Sequence, residues 1–313
     1  MGVRTKTSSF GTSQRLGHDA SKFYGRNMFK DAKMDDLLAR SHAAGGIMHA
    51  KISEDNSKKN AARSQENSVP QDVLNQVYCH SSECMDELPD CSTHLIVTSP
   101  PYNVGKEYDD DLNMHEYAEL LRLVFTECYR VLADGGRACV NIANIGRKPY
   151  MPLNAMVAKI MIDIGYLMRG EIIWNKSSSA GVSCAWGSWK SPSNPVLRDV
   201  HEYILVFSKG SYARKPNANK PTIARDEFLE WTKSIWSFPT VSARKVGHPA
   251  PFPVELPQRL INLYTFPEDI VLDPFIGSGS TAIASNKTNR FWVGYDISPE
   301  YCDLTRERIR QCQ

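Results

Sequence analysis

The chain lacks any long uninterrupted apolar run. Its most apolar stretch, MVAKIMIDIGYLM, is broken by Lys159 and Asp163. It is also too short to cross a bilayer, which takes about 20 residues. A membrane-spanning bundle is therefore not expected. The first ten residues, MGVRTKTSSF, have no apolar segment of the kind a secretory signal carries. Lys6 stands where an N-myristoylation pattern requires Ser or Thr. No two of the eight cysteines form C-x-x-C, so they read as reduced thiols of a cytoplasmic protein. Cys79, Cys84 and Cys91 lie near His80, but their spacing matches no zinc finger and no metal is expected. Internal repeats are absent. Net charge is nearly absent too: 37 Lys and Arg oppose 35 Asp and Glu, for +2. Taken as an average, that argues against a polyanionic partner.

The average conceals a pattern. Residues 71–136 carry 3 basic and 13 acidic side chains, a balance of −10. Residues 137–260 carry 17 and 8, a balance of +9. A basic block of this size can hold a phosphate backbone on one face, or can be no more than solvated helix faces. A hydrophobic share of 42% with 23% charged residues is ordinary for a folded protein and excludes a wholly disordered or collagenous chain. The length of 313 residues suggests two domains of about 150, or one large domain with additions.

The additions fall at the start. Residues 1–73 are polar, and KISEDNSKKNAARSQENS has no apolar period, so the segment reads as a partly flexible extension. Only FYGRNMF and MDDLLAR within it suggest short helices. From about residue 74 strands and helices alternate. Strands are expected at 77–79, 94–98, 138–142, 169–174, 202–207, 270–273 and 291–296. Helices are expected at 115–132, ended by Gly135-Gly136, at 153–164, ended by Gly165, and at 255–265. One more follows the glycine turn, and a last one is capped by Ser298 with Pro299 at its first position. Alternation of this kind predicts an α/β fold with a doubly wound, mostly parallel sheet.

Two loops carry the chemistry. The strand IVLD runs directly into PFIGSGST, where Gly277 and Gly279 permit a sharp turn or a close backbone approach to a ligand. The helix that follows presents N–H groups to an anionic ligand. One strand later, Asp296 can accept both hydroxyls of a ribose. Gly277, Gly279 and Ala282 also satisfy G-x-G-x-x-G/A, which admits a nicotinamide-dependent oxidoreductase. Against that stands Asp273, because a carboxylate before the turn repels a pyrophosphate and suits a cationic amino group. The second loop is Ser99-Pro100-Pro101-Tyr102, at the end of HLIVT. Two prolines cannot extend a ladder, so they hold a rigid loop outside the sheet. A hydroxyl, a directed carbonyl and an aromatic ring suit a planar amine: the oxygens take its amino hydrogens and the ring stacks on its face.

With S-P-P-Y at 99–102 and D-P-F-I-G-S-G-S-T at 273–281, the chain resembles the S-adenosylmethionine-dependent amino-methyltransferases of DNA. The catalytic motif precedes the cofactor motif, the permuted order called the beta class. The resemblance covers about residues 74–313. It implies a seven-stranded, Rossmann-like sheet and S-adenosyl-L-methionine as cofactor. It implies double-stranded DNA as substrate, with a cognate restriction endonuclease as a partner of some relatives and the monomer or dimer state left open. The serine form of the motif implies methylation of cytosine N4 in a bacterial or archaeal modification methylase; adenine N6 is the alternative. Ser99, Pro100, Pro101 and Tyr102 would form the catalytic loop. Asp273, Pro274, Phe275, Gly277, Ser278, Gly279, Thr281 and Asp296 would bind the cofactor. His248, Pro249 and Phe252 would close over its methionine end. EIIWNK and HEYILVFSK resemble the hairpin at the sheet's end. Cys79-His80 stand where relatives often carry Gly-Asp. Residues of about 208–246 correspond to the target-recognition region. Lys190, Lys209, Arg214, Lys215, Lys220, Arg225, Arg244 and Lys245 are the expected DNA contacts, with the loop of Trp186 and Trp189 either near them or over the core.

Overall fold

A computed structural model of the chain describes residues 66–101, 114–146, 150–176, 188, 190–215, 219–241 and 252–312. The short helices suggested within FYGRNMF and MDDLLAR lie outside them, as do Trp186 and Trp189. In chain order the elements are β1 (Gln76–Tyr78), β2 (Thr93–Thr98), α1 (Met114–Val131), β3 (Leu132–Ile142), β4 (Ile145–Gly146), β5 (Tyr150–Met151), α2 (Leu153–Ile164), β6 (Leu167–Asn175), β7 (His201–Ser208), α3 (Arg225–Trp231), β8 (Ile235–Ser237), α4 (Glu255–Tyr264), β9 (Ile270–Asp273), α5 (Ser280–Lys287), β10 (Phe291–Tyr295) and α6 (Pro299–Gln311).

Eight of the strands form one sheet in the order β1-β10-β9-β2-β3-β7-β6-β8, while β4 and β5 pair separately. All neighbours in the large sheet are parallel except those of β7, which runs antiparallel to β3 and β6. The expected seven strands become eight. The addition is β8, three residues whose backbone pairs Trp236 with Trp174 of β6. Its burial comes from that partner and not from a period of its own, so the sequence does not mark it.

Alternation along the central strands builds two cores. Ile96, Ala138, Val140, Ile142, Leu205, Phe207, Leu272 and Val293 face one side and pack against Leu121, Val124, Phe125 and Cys128 of α1 and Val157 and Met161 of α2. Their neighbours Leu95, Val97, Cys139, Ile204, Val206 and Val271 face the other side, against Leu256, Leu260 and Ile261 of α4 and Ala284 of α5. A strand with both faces covered needs apolar residues at every position, which is why HLIVT and IVLD read as continuous runs. The doubly wound arrangement expected from the sequence is the one found.

Local signals place most element ends. Gly165 ends α2 in the left-handed region at φ 116°, and its N–H reaches Ile162 O. Ser298 caps α6 with Pro299 behind it. Two boundaries differ from expectation. Helix α1 ends at Val131, before Gly135-Gly136, and the glycines lie in a register shift of β3 between the pairs Thr93–Leu132 and Leu95–Arg137. Gly135 adopts φ 79°, with the Ala213 backbone packed where a Cβ would sit. The folded body also begins earlier than residue 74. Val69 is in the core, and Asn67 donates its backbone N–H to Cys91 O at 3.1 Å. Residues 66–73 therefore belong to the body and not to the extension.

Candidate active site

The chain leaves β2 toward β3 on one side of the sheet and leaves β9 toward β10 on the other. The carboxyl ends of β2 and β9 thus flank the point where the winding reverses, the place where open α/β sheets bind ligands. Both motif loops start there. Thr98 donates from Oγ1 to Asp273 Oδ1 at 2.7 Å, which ties the two strand ends together.

Asp273 is enclosed by the protein. It is 1% exposed, and its oxygens accept from Thr98, from Thr281 Oγ1 at 2.6 Å and from the Phe275 N–H at 3.2 Å. With these bonds the acid ties the turn to the end of β2 from inside. Burial pushes its pKa up to about 6, although those three donors pull the other way. Thr281 is therefore a support of the turn as well. The turn spends much of its own N–H capacity internally, since Ile276 donates to Tyr295 O, Gly277 to Asp296 and Gly279 to Ile276 O. Gly279, at φ 77°, has its open side against Thr305, where a Cβ would sit 2.9 Å from the Thr305 methyl. Packing within the protein requires that glycine, not a ligand.

Asp296 is placed differently. Half-buried at the end of β10, it accepts from Gly277 N at 3.0 Å and Ser298 N at 2.9 Å. A carboxylate offers about four acceptor positions, so the two bonds that hold it leave capacity for a pair of hydroxyls. Burial raises its pKa against those two backbone bonds. Pro274 is buried and accepts from Ser82 Oγ at 2.9 Å. Phe275 packs half-buried against the first core. Ser278 is buried, with its carbonyl held by the Arg308 guanidinium. Phe252 comes to the same turn, because Ser280 Oγ donates to its carbonyl at 2.9 Å. An inward acid with no exposed charge, a half-exposed outward acid and a glycine turn between them fit a nucleoside cofactor without phosphates. His248 and Pro249 lie outside the described residues.

On the other loop, Ser99 is half-buried and Pro100 buried. Tyr117 of α1 donates its hydroxyl to Pro101 O at 2.7 Å, fixing the loop from below. Asn141 of β3 donates to Ser99 Oγ at 3.4 Å. Tyr102 lies outside the described residues. Thr98, Tyr117 and Asn141 were not singled out by motif. A polar Asn inside the apolar strand ACVNI was the available signal for one of them.

The basic residues divide. The β6–β7 loop rises from the catalytic edge, because Asn175 pairs with His201 at its base and Ile142 with Tyr203 beside it. Lys190 stands exposed in that loop. The segment after β7 leaves from the opposite edge. There Lys209 is buried, its Nζ bonded to Arg130 O at 3.1 Å and Cys91 Sγ at 3.3 Å. Arg214 forms a bidentate pair with Asp269, just before β9. Both make structural contacts at the edge opposite the two motif loops. Lys215 and Lys220 are exposed but follow the same edge, with Asn219 bonded to Pro267 O. Arg225 is exposed at the start of α3. Arg244 and Lys245 lie outside the described residues. The segment expected as the recognition region, 208–246, thus begins at the edge opposite the two motif loops, and part of the +9 charge is internal.

Comparison with known proteins bears on the family and the fold. The DNA methylase family model (N6_N4_Mtase) matches residues 93–307, from the first residue of β2 into α6. The type II methyltransferase M.MthZI of Methanothermobacter thermautotrophicus is 31% identical over 278 residues, covering 76% of this chain and 77% of the relative. M.MjaI of Methanocaldococcus jannaschii is 31% identical over 273 residues, covering 72% and 88%. Among solved structures, the Thermus thermophilus protein TTHA0409, a proposed DNA modification methylase in complex with S-adenosyl-L-methionine, superposes with a TM-score of 0.61 at 26% identity over 76% of this chain and 93% of the other. PvuII DNA methyltransferase superposes with a TM-score of 0.60 at 21% identity over 75% and 90%, a likeness of fold.

Proposed function

The chain belongs to the DNA methylase family and is an S-adenosylmethionine-dependent, site-specific DNA methyltransferase of the type II modification kind; within that activity we propose that it methylates the exocyclic N4 of cytosine, as a beta-class enzyme. The observation that carries the reading is the Ser99-Pro100-Pro101 loop at the end of β2, joined through Thr98 and Asp273 to the turn after β9.

The amino nitrogen of cytosine is a poor nucleophile because its lone pair is delocalised into the ring. Ser99 Oγ and the Pro100 carbonyl accept the two amino hydrogens and favour a pyramidal nitrogen, which returns the lone pair to the attacking position. Tyr102, next in the motif, stacks on the base once it has left the duplex. Asp296 would hold the ribose hydroxyls of the cofactor, and Phe252 would line its methionine end. When bound, S-adenosylmethionine would supply an electrophilic methyl on a sulfonium: the N–C bond forms as the S–C bond breaks, a neutral thioether leaves, and one amino hydrogen is lost to solvent as a proton. The protein needs no covalent nucleophile for this chemistry, and none of its cysteines is assigned one. Lys190 and the β6–β7 loop meet the phosphate backbone. A nicotinamide oxidoreductase would leave the Ser99–Tyr102 loop without a role.

The test is methylation of unmethylated genomic DNA with labelled cofactor, followed by nucleoside analysis. N4-methylcytosine is the expected product; N6-methyladenine alone overturns the base assignment. Ser99→Ala is expected to lose at least about tenfold in kcat while keeping cofactor affinity. Wild-type turnover by that variant would refute the role given to Ser99.

A further inference from the structure

Ser99 is not held by its own loop alone. Asn141, 2% exposed on the neighbouring strand, donates from Nδ2 both to Ser99 Oγ at 3.4 Å and to Glu202 Oε2 on β7 at 2.6 Å. Glu202 Oε1 accepts from Lys176 Nζ at 2.5 Å. Lys176 follows the last residue of β6, and its backbone N–H bonds Val200 O at 2.7 Å across the mouth of the β6–β7 loop. The adjacency of β2, β3, β7 and β6 therefore lines up Ser99, Asn141, Glu202 and Lys176 along the catalytic edge.

The two Asn141 bonds are unequal, and that inequality assigns the roles. A carboxylate only accepts, so Glu202 selects the amide nitrogen over the amide oxygen and fixes how Asn141 is turned. The short, charge-assisted bond anchors the amide. The long one to Ser99 is what remains to adjust, as catalytic hydrogen bonds do before substrate arrives. With Asn141 so turned, an N–H occupies one lone pair of Ser99 Oγ and limits the rotamers of the hydroxyl. Were the amide reversed, its oxygen would face Ser99 and draw the hydroxyl proton instead. Resting on the role of Ser99 proposed above, we infer that Glu202 and Asn141 are positioning residues: Glu202 orients the Asn141 amide, which sets the direction in which Ser99 meets the amino group of the target base.

A double-mutant cycle tests this, read as single-turnover methylation of unmethylated genomic DNA with tritiated S-adenosylmethionine. Glu202→Ala is expected to slow methyl transfer at least tenfold, with cofactor affinity unchanged within threefold. Glu202→Gln still offers Asn141 a carbonyl oxygen and is expected within threefold of wild type. In the Ser99→Ala background, Glu202→Ala is expected to add less than threefold, since the residue it acts through is gone. Asn141→Asp sets a second carboxyl against Glu202, and its rate is expected to gain a pH dependence absent from the wild-type profile. A Glu202→Ala rate within threefold of wild type refutes the inference. So does an equal loss in both backgrounds, or a Gln variant as slow as the Ala variant. Should Glu202→Ala fail to bind cofactor, Asn141→Ala takes its place in the cycle with the same expectations. Full activity of Ser99→Ala alone would instead overturn the reading of Ser99, a result the cycle separates from the others.

Discussion

Asp273→Asn removes a buried charge while keeping the shape of the side chain. Burial lifts the wild-type pKa from 3.8 to about 6, against hydrogen bonds from Thr281, Thr98 and the Phe275 N–H, and the nearby Asp296 carboxylate adds to the rise. Below pH 3.8 the carboxyl is protonated in both the folded and unfolded chain, and burying it carries no charge cost. Between 3.8 and about 6 the unfolded chain has already ionised while the folded one has not. Above about 6 both are ionised, and the folded state bears the whole cost. A rise of about two pH units corresponds to about 3 kcal/mol at about 1.36 kcal/mol per unit. This part of the stability is thus complete below pH 3.8 and lost as pH rises through about 6. The Asn variant has no such dependence. Its amide accepts at one end and can donate to a threonine hydroxyl at the other, so any change in these bonds is a constant offset of up to about 1 kcal/mol. Urea unfolding of both proteins from about pH 4 to about pH 8 isolates the effect, because the carboxyls that do not interact with Asp273 cancel in the difference. Wild type is expected to lose about 3 kcal/mol relative to the variant across that range. A difference that stays flat would refute the view of Asp273 as an acid held inside against its charge.

Other substitutions separate structure from function. Lys190→Ala is expected to weaken DNA binding and lower the slope of log affinity against log salt by about 1, whereas Lys209→Met should destabilise the fold and leave that slope unchanged. Tyr117→Phe releases the Pro101 carbonyl; it should cost about 1 kcal/mol of stability and lower kcat more than cofactor affinity. Gly279→Ala puts a side chain at φ 77° against Thr305, and thermal unfolding should show a loss of about 1–3 kcal/mol.

Much of the site was readable before folding was considered. Ser99-Pro100-Pro101 and the Asp273–Thr281 turn are local constellations, and both stand at strand ends because the apolar runs before them are strands. What lay hidden were contacts between segments distant in sequence. Tyr117 belongs to no motif, yet its hydroxyl holds the Pro101 carbonyl. Glu202 looked like part of a hairpin strand, and only the pairing of β3 with β7 brings it to Asn141. Asp273 was read as a ligand partner because a carboxylate beside a glycine turn resembles one. Its direction depended on Thr98, 175 residues earlier.

By itself the sequence determined the alternation of strands and helices, the two motif loops and the family. These rest on periodicity and on residues close together in the chain, which act through local geometry. The tertiary structure decided which way each polar group points. It enclosed Asp273 and left Asp296 half-buried, tied Lys209 and Arg214 into the opposite edge, and left Lys190 exposed between β6 and β7. Charge counted along a chain cannot tell one edge of a sheet from the other, because successive segments enter and leave at opposite ends. Only the strand directions fix which cations share a side with the reacting base.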